Sequence, residues 1–310
     1  MNVDSYTKAG RVAGEVREMA RRTDWVGKTA YELCERIESE IRKRGVECAF
    51  PVNVSINEVA AHYTAEPGDA LTVQDTDLVK IDLGAHANGY IADTAVTVCY
   101  NEEYDSMVET AERALAKAIS VMKTGTKARD IGRTIESVIK AKGFKPIANL
   151  SGHSLDQYTI HAGKTIPNIW SIGGFSLSDN SAYACEPFVT TKKGGGFVRN
   201  GKTRNIFALV SRKRTKNADA DRMLDRIWER FNMLPFALRW LTSEWEEREA
   251  RNLLELLVKK KAVQAYPVLV EIHGQRVAQA EHTFIPNGSG VTVVTAAAAS
   301  RGTGPPQYGR

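Results

Sequence analysis

Two aspartates stand where an apolar chain would be expected. Leu78 to Val98, LVKIDLGAHANGYIADTAVTV, sets Asp82 and Asp93 in two short β-branched runs joined by Asn88-Gly89, a pair that favours the two-residue turn of a β-hairpin. With that turn, positions summing to 177 face each other, so Asp82 lies opposite Ala95 and Asp93 stands two residues from Ala95. Both carboxylates then project from one face as diagonal neighbours, roughly 7–8 Å apart at Cα. Arms of that reach converge on divalent ions about 3.5–4 Å apart. Bare aspartates on an apolar face repel each other and lose hydration, so a positive charge is expected between them. Taken alone, the pair reads equally well as two solvent-facing aspartates beside an exposed turn.

The same conflict recurs twice. Glu186 interrupts the short apolar strand AYACEPFVTT, and Glu281 interrupts RVAQAEHTFIP; a carboxylate inside such a strand is costly unless paired or bound to metal. Cys185 and His282 adjoin these glutamates, point to the opposite face of a strand, and read as packing residues. His153 and His161 stand eight residues apart in the polar, glycine-containing stretch SGHSLDQYTIHAG, in a chain with 6 histidines. His62 occupies a loop-like stretch after Val52, Val54 and Ile56, where a lone histidine is more often structural than catalytic.

The elements that must position these groups follow from periodicity. Residues 4–22 and 28–44 carry apolar side chains at helical spacing, the second run stopping before Gly45; Tyr104–Lys123 and Ala128–Lys142 repeat the pattern after the hairpin. A basic run, Ser211 to Lys216, precedes further helical patterns from Ala218 to Lys261, broken at Pro235, with Ser243 and Glu246 spaced as a capping box. This reads as a helical insertion, about residues 210–262, in a single domain spanning 1–310. The basic run reads as a solvated surface, with RNA or ribosome contact as its functional alternative. The tail, 296–310, is rich in glycine and proline and is expected to be disordered.

At 310 residues, 43% hydrophobic and 25% charged, the chain can bury a full core, and a net charge of +5 permits contact with nucleic acid without requiring it. Its 4 cysteines are scattered and form no CxxC, which suits reduced thiols in the cytoplasm. No apolar run is long enough for a membrane span, and no signal-peptide core opens the sequence. Neither a GxxxxGK[ST] loop nor a GxSxG elbow occurs, and the Lys193–Gly196 stretch lacks the strand–turn–helix setting of a phosphate loop.

Together Asp82, Asp93, His153, Glu186 and Glu281 make an oxygen-rich donor set suited to two divalent ions such as Mn, Fe, Co or Zn, and unlike the sulfur-rich set of a structural zinc site. Each has a bland explanation alone; the combination is hard to explain as structure.

From about residue 4 to 295 the chain resembles type 2 methionine aminopeptidases of the short archaeal form. The matching stretches are AFPVNVSINEVAAHYT, VKIDLGAHANGYIADTAVTV, SGHSLDQYTIHAG with IPNI, EPF, LPFALRW and AQAEHT. The resemblance implies an α+β "pita-bread" fold, a curved antiparallel sheet covered by helices around a central metal pair. It implies that the five residues above are the ligands, with Glu186 also moving a proton. His62 would face the scissile nitrogen and His161 the carbonyl oxygen, while Phe50, Ile160 and Phe188 would line the methionine pocket. The implied substrate is the N-terminal methionine of nascent chains, with a small second residue. Transient ribosome proximity and a monomeric state are expected, and no specific nucleic acid or membrane partner. Asn88 stands where the family commonly has aspartate, the loop after Glu186 is unusually basic, and the tail after Thr295 does not match. Two other readings share the fold: an Xaa-Pro aminopeptidase or prolidase, and a non-catalytic RNA- or protein-binding relative. The insertion argues against the first, and retention of all five ligands against the second.

Overall fold

The computed structural model describes residues 1–296, so the expectation of a disordered tail falls almost wholly outside the described residues. Six α-helices are formed among the described residues: α1 (Val3–Arg22), α2 (Ala30–Lys43), α3 (Asp105–Val121), α4 (Ala128–Ala141), α5 (Ala218–Phe231) and α6 (Glu247–Lys259). Each buries one apolar stripe. In α1 this is Val12, Val16 and Ala20, and in α2 Leu33, Ile37 and Ile41, spaced three or four residues apart as a helix packed on one side requires. Asn2 caps α1 through a hydrogen bond from the Ser5 N–H, and Thr29 with Glu32 forms a reciprocal capping box on α2. The cap of α6 differs from expectation. Glu246 itself accepts from the Glu249 N–H, and Ser243 lies outside the helix; the acidic side chain takes the position nearest the positive helix end.

Every pairing between named strands is antiparallel among the described residues. The central hairpin joins Leu78–Ala87 to Tyr90–Cys99 in the expected register, Asp82 opposite Ala95 and Gly84 opposite Asp93. Asn88 and Gly89 both take positive φ, 53° and 83°, as a tight turn matching the strand twist demands. Asn53–Ile56 pairs with the outer edge of Leu78–Ala87, and α1 lies across the hairpin. A second sheet carries Ser151–Leu155, Ala182–Cys185 and His282–Pro286 as neighbours. Helices α3 and α4 pack against each other in the core on that side.

The region that carries α5 and α6 is not wholly helical, and strands border it on both sides. Phe236–Ala237 and Val263–Tyr266 flank Ile206–Leu209 in a small three-stranded sheet. Met223, Leu224 and Ile227 of α5 and Leu253, Leu254 and Leu257 of α6 join the same core as α1 and α2.

Candidate metal centre

The hairpin delivers Asp82 and Asp93 from one strand face, and the two sheets meet along its free edge. That seam is sewn by threonine side chains. Thr94 Oγ1 donates to the Glu281 carbonyl at 2.8 Å, and Thr283 Oγ1 both accepts from the Asp93 N–H and donates to the Asp93 carbonyl, each at 2.8 Å. Thr97 clamps the Gln279 backbone in the same way, at 2.7 and 2.8 Å. Glu281 falls in the break between Val277–Gln279 and His282–Pro286, where an isolated backbone bridge joins it to Ala95 of the hairpin. Glu186 falls in the corresponding break between Ala182–Cys185 and Phe188–Thr190, beside Pro187. Both glutamates therefore sit where the ladder stops and the chain bends. The sequence showed them as charges interrupting strands, and the interruption is literal.

His153, on Ser151–Leu155, places Nε2 3.6 Å from Asp93 Oδ2 and 3.7 Å from Glu186 Oε1. Those separations are too long for hydrogen bonds. They are near the roughly 3.3–3.6 Å expected between two ligands of one ion held at about 2.0–2.2 Å in tetrahedral geometry. Ligand atoms of Asp93, His153 and Glu281 all lie within 4.8 Å of one another. Asp82 Oδ1, Asp93 Oδ1, Glu281 Oε1 and His153 Nδ1 are buried with no hydrogen-bond partner, although native interiors satisfy nearly all such atoms.

The electrostatics agree. Burial, then the neighbouring Asp82 and Glu186, raises the Asp93 carboxyl well above the usual range; burial likewise raises Glu186 and Glu281, and lifts Asp82 to about 7. Burial drives the imidazoles the other way, His153 to about 3 and His62 to about 4. Crowded carboxylates beside a neutral imidazole are an arrangement that a divalent cation relieves. The donor chemistry, oxygen-rich with one nitrogen, fits Mn, Fe, Co or Zn better than a thiolate-seeking ion.

These groups form the floor of one cavity of about 320 Å³, and all ten residues singled out in the sequence line it: Phe50, His62, Asp82, Asp93, His153, Ile160, His161, Glu186, Phe188 and Glu281. His62 follows the short strand Val59–Ala61 in a left-handed conformation, φ 66°, a strained setting for a residue with a β-carbon that recurs at functional sites. Its Nδ1 lies 3.3 Å from the Pro267 carbonyl. A carbonyl only accepts, so Nδ1 carries the proton and Nε2 keeps its lone pair. His161 is exposed, with its ring 4.5 Å from that of His153.

Some residues in or beside the site went unread in the sequence. Tyr266 stands 5.7 Å from the His62 ring, far from it in sequence and without a local signal. Asn53 lies directly opposite Asp82 on the paired strand, which only the strand pairing reveals. Gln279 reaches Glu186 Oε2 at 3.4 Å and Glu281 Oε2 at 3.5 Å; its spacing of two from Glu281 was the available clue. His282 corrects the packing reading. Its Nδ1 meets Arg17 Nη1 at 2.9 Å and Thr295 Oγ1 at 2.8 Å, so it is held by polar contacts, whereas Cys185 is a core residue as expected.

Comparison with known proteins agrees with the geometry. The family model of metallopeptidase family M24 matches residues 4–205. A methionine aminopeptidase of Pyrococcus horikoshii is 43% identical over 296 residues, covering 95% of this chain and 100% of the relative. Among solved structures, a methionine aminopeptidase of Thermotoga maritima aligns at 21% identity and a TM-score of 0.68, covering 95% of this chain and 96% of that one. A thermophilic Arx1 aligns at 18% identity and a TM-score of 0.79, covering 97% and 93%. Those structural likenesses carry the pita-bread fold, while the sequence relation carries the family. Over nearly its whole length, then, the chain belongs to metallopeptidase family M24, and within it to the methionine aminopeptidases.

Proposed function

We propose that this chain is a metal-dependent aminopeptidase that hydrolyses the first peptide bond of chains beginning with methionine. Asp82, Asp93, His153, Glu186 and Glu281 hold the metal, as a pair of divalent ions. The observation that carries the reading is a cluster of buried carboxylates around His153: its Nε2 lies within 3.7 Å of Asp93 Oδ2 and Glu186 Oε1, and Asp82, Asp93 and Glu281 each keep another oxygen buried without a partner. When bound, the ions supply an activated water and a polarised carbonyl.

The chain's own residues do the rest. Glu186, lining the cavity, takes the proton from the attacking water and delivers it to the leaving amine as general base and then general acid. His62, neutral near pH 7 with its lone pair on Nε2, accepts from the scissile N–H. His161, exposed beside His153, donates to the substrate carbonyl oxygen. Phe50, Ile160 and Phe188 enclose an unbranched thioether side chain; such a wall gains about 1–3 kcal/mol per methylene, so selection against similar side chains is finite.

The domain reading accompanies this. Residues 210–262 are an insertion in one catalytic domain, and Pro235 within it, with Ile206 and Tyr266 at its borders, walls the cavity. Substrates are nascent polypeptides in the cytoplasm, met close to the ribosome by a monomer. No helix among the described residues is long and apolar enough to cross a membrane.

The test is release of the first residue from Met-Ala-Ser, Met-Pro-Ser, Leu-Ala-Ser and Ala-Pro-Ser, with chelator or with Mn or Co added. Metal-dependent release of methionine alone is expected. Cleavage of Ala-Pro-Ser but not Met-Ala-Ser would move the chain to the proline-directed peptidases, and silence under every metal would leave a binding protein.

A further inference from the structure

Gly84 sits in the middle of a ten-residue strand, and its backbone does not require glycine. Its φ lies outside the left-handed region, unlike that of Gly89 at the turn. Glycine in a strand interior weakens it and often marks the close approach of something else. Here the close neighbour is the Phe50 ring. A β-carbon at position 84 would stand 2.2 Å from Phe50 Cε1, 2.7 Å from Cδ1 and 2.9 Å from Cζ.

The ring cannot yield by moving its backbone outward. The Ala49 N–H donates to the Gly84 carbonyl at 2.9 Å, and Asn53 is paired with Asp82 just beyond. Phe50 is itself 4% exposed and lines the cavity. Gly84 shares a strand face with Asp82 and lies opposite Asp93. A ring displaced from that face therefore moves into the space above it, which is the cavity.

We infer that Gly84 is a specificity-determining position: its missing side chain lets the Phe50 ring pack directly against the strand, and so sets how long an N-terminal side chain the cavity accepts. This rests on the function proposed above. Any side chain at position 84 tilts Phe50 into the pocket and favours shorter first residues.

The experiment measures kcat and KM for Met-Ala-Ser, norleucyl-Ala-Ser and norvalyl-Ala-Ser in wild type, Gly84→Ala, Phe50→Ala and the double variant, with metal content and melting temperature of each. For Gly84→Ala we expect KM for the methionyl and norleucyl peptides to rise tenfold or more, with kcat within threefold. The preference should shift about tenfold toward norvaline, with metal content unchanged. In the Phe50→Ala background the glycine change should have no such effect, because no ring remains to be pushed. An unchanged preference in Gly84→Ala overturns the inference while wild-type cleavage keeps the function standing. A shift that persists without the ring also overturns it. If Gly84→Ala does not fold, recovery of folding in the double variant supports the clash, and failure there refutes it. A wild type silent on every peptide instead removes the proposed function, and this inference with it.

Discussion

Carboxylates are buried in two places in this molecule, and the two places treat them in opposite ways. Glu38 of α2 is fully buried. Its Oε1 accepts from the Val52 N–H at 3.1 Å and from Arg239 Nη2, and its Oε2 accepts from Trp240 Nε1 at 2.6 Å and Arg42 Nη2 at 3.3 Å. Four donors, two of them cationic, meet one carboxylate, and Arg239 goes on to Thr64 Oγ1 at 2.8 Å and the Ala65 carbonyl at 3.0 Å. In the cavity, Asp82, Asp93 and Glu281 each keep an oxygen without a partner, and the charges that act on Asp93 and Glu281 there are other carboxylates, Glu186 included. A carboxylate buried for structure arrives with its counter-charge. One buried without it marks a place where the counter-charge comes from outside the chain.

The difference can be broken experimentally, first and hardest at Glu281 or Asp93. Changing either to alanine should cut turnover by about a thousandfold or more, since metal chemistry supplies several kcal/mol. Yet in chelator the variant should melt at or above the chelated wild type, because a repelling charge has gone. A lower melting temperature would mean that these carboxylates stabilise the fold and that the contrast with Glu38 is false.

Glu38→Ala should do the reverse. It strands Arg239 and Trp240 Nε1, and loss of one partner from a buried pair costs about 3–5 kcal/mol, readable as a lower denaturation midpoint. Activity per folded molecule should be retained at permissive temperature. The next effect is smaller: His62→Ala should slow catalysis by about a hundredfold, the low end for general acid–base groups, with metal content intact. Metal lost along with the imidazole would move His62 into the ligand set.

The mildest test uses pH. In the chelated protein Asp82 holds its proton up to about 7, whereas in the unfolded chain it ionises near 4. The folded state thus binds more protons between those values, so stability should fall as pH rises from about 4 to about 7. Saturating Mn should flatten that slope, because binding favours the ionised form. A slope unaltered by metal would argue against Asp82 as a ligand.

Reading the sequence worked where local rules act. Asn88-Gly89 fixes the hairpin turn, and the turn fixes the register that brings Asp82 and Asp93 to one face. Glu186 and Glu281 were visible because each contradicts its surroundings. The roles of His62, His161, Phe50, Ile160 and Phe188 came only through resemblance, because nothing in their own spacing brings them to one cavity. Glu38 escaped notice for the opposite reason: a glutamate in an amphipathic helix looks ordinary, and its partner Arg239 is 201 residues away. The Ser243–Glu246 spacing misled because two acceptors competed for one helix start and the nearer one won.

The threonine seam also has a meaning in time. Thr94 and Asp93 are made early, but Glu281 and Thr283, their partners across the seam, are synthesised 187 and 190 residues later. A growing chain therefore carries the hairpin aspartates through most of its synthesis without the strand that completes their cage, and solvent is the only partner that can hydrate them. The centre closes as a late event of biosynthesis. A chain halted before Glu281 would lack one of the five proposed ligands and the threonine contacts that hold the second sheet to the hairpin, so the complete centre waits for the last part of the chain.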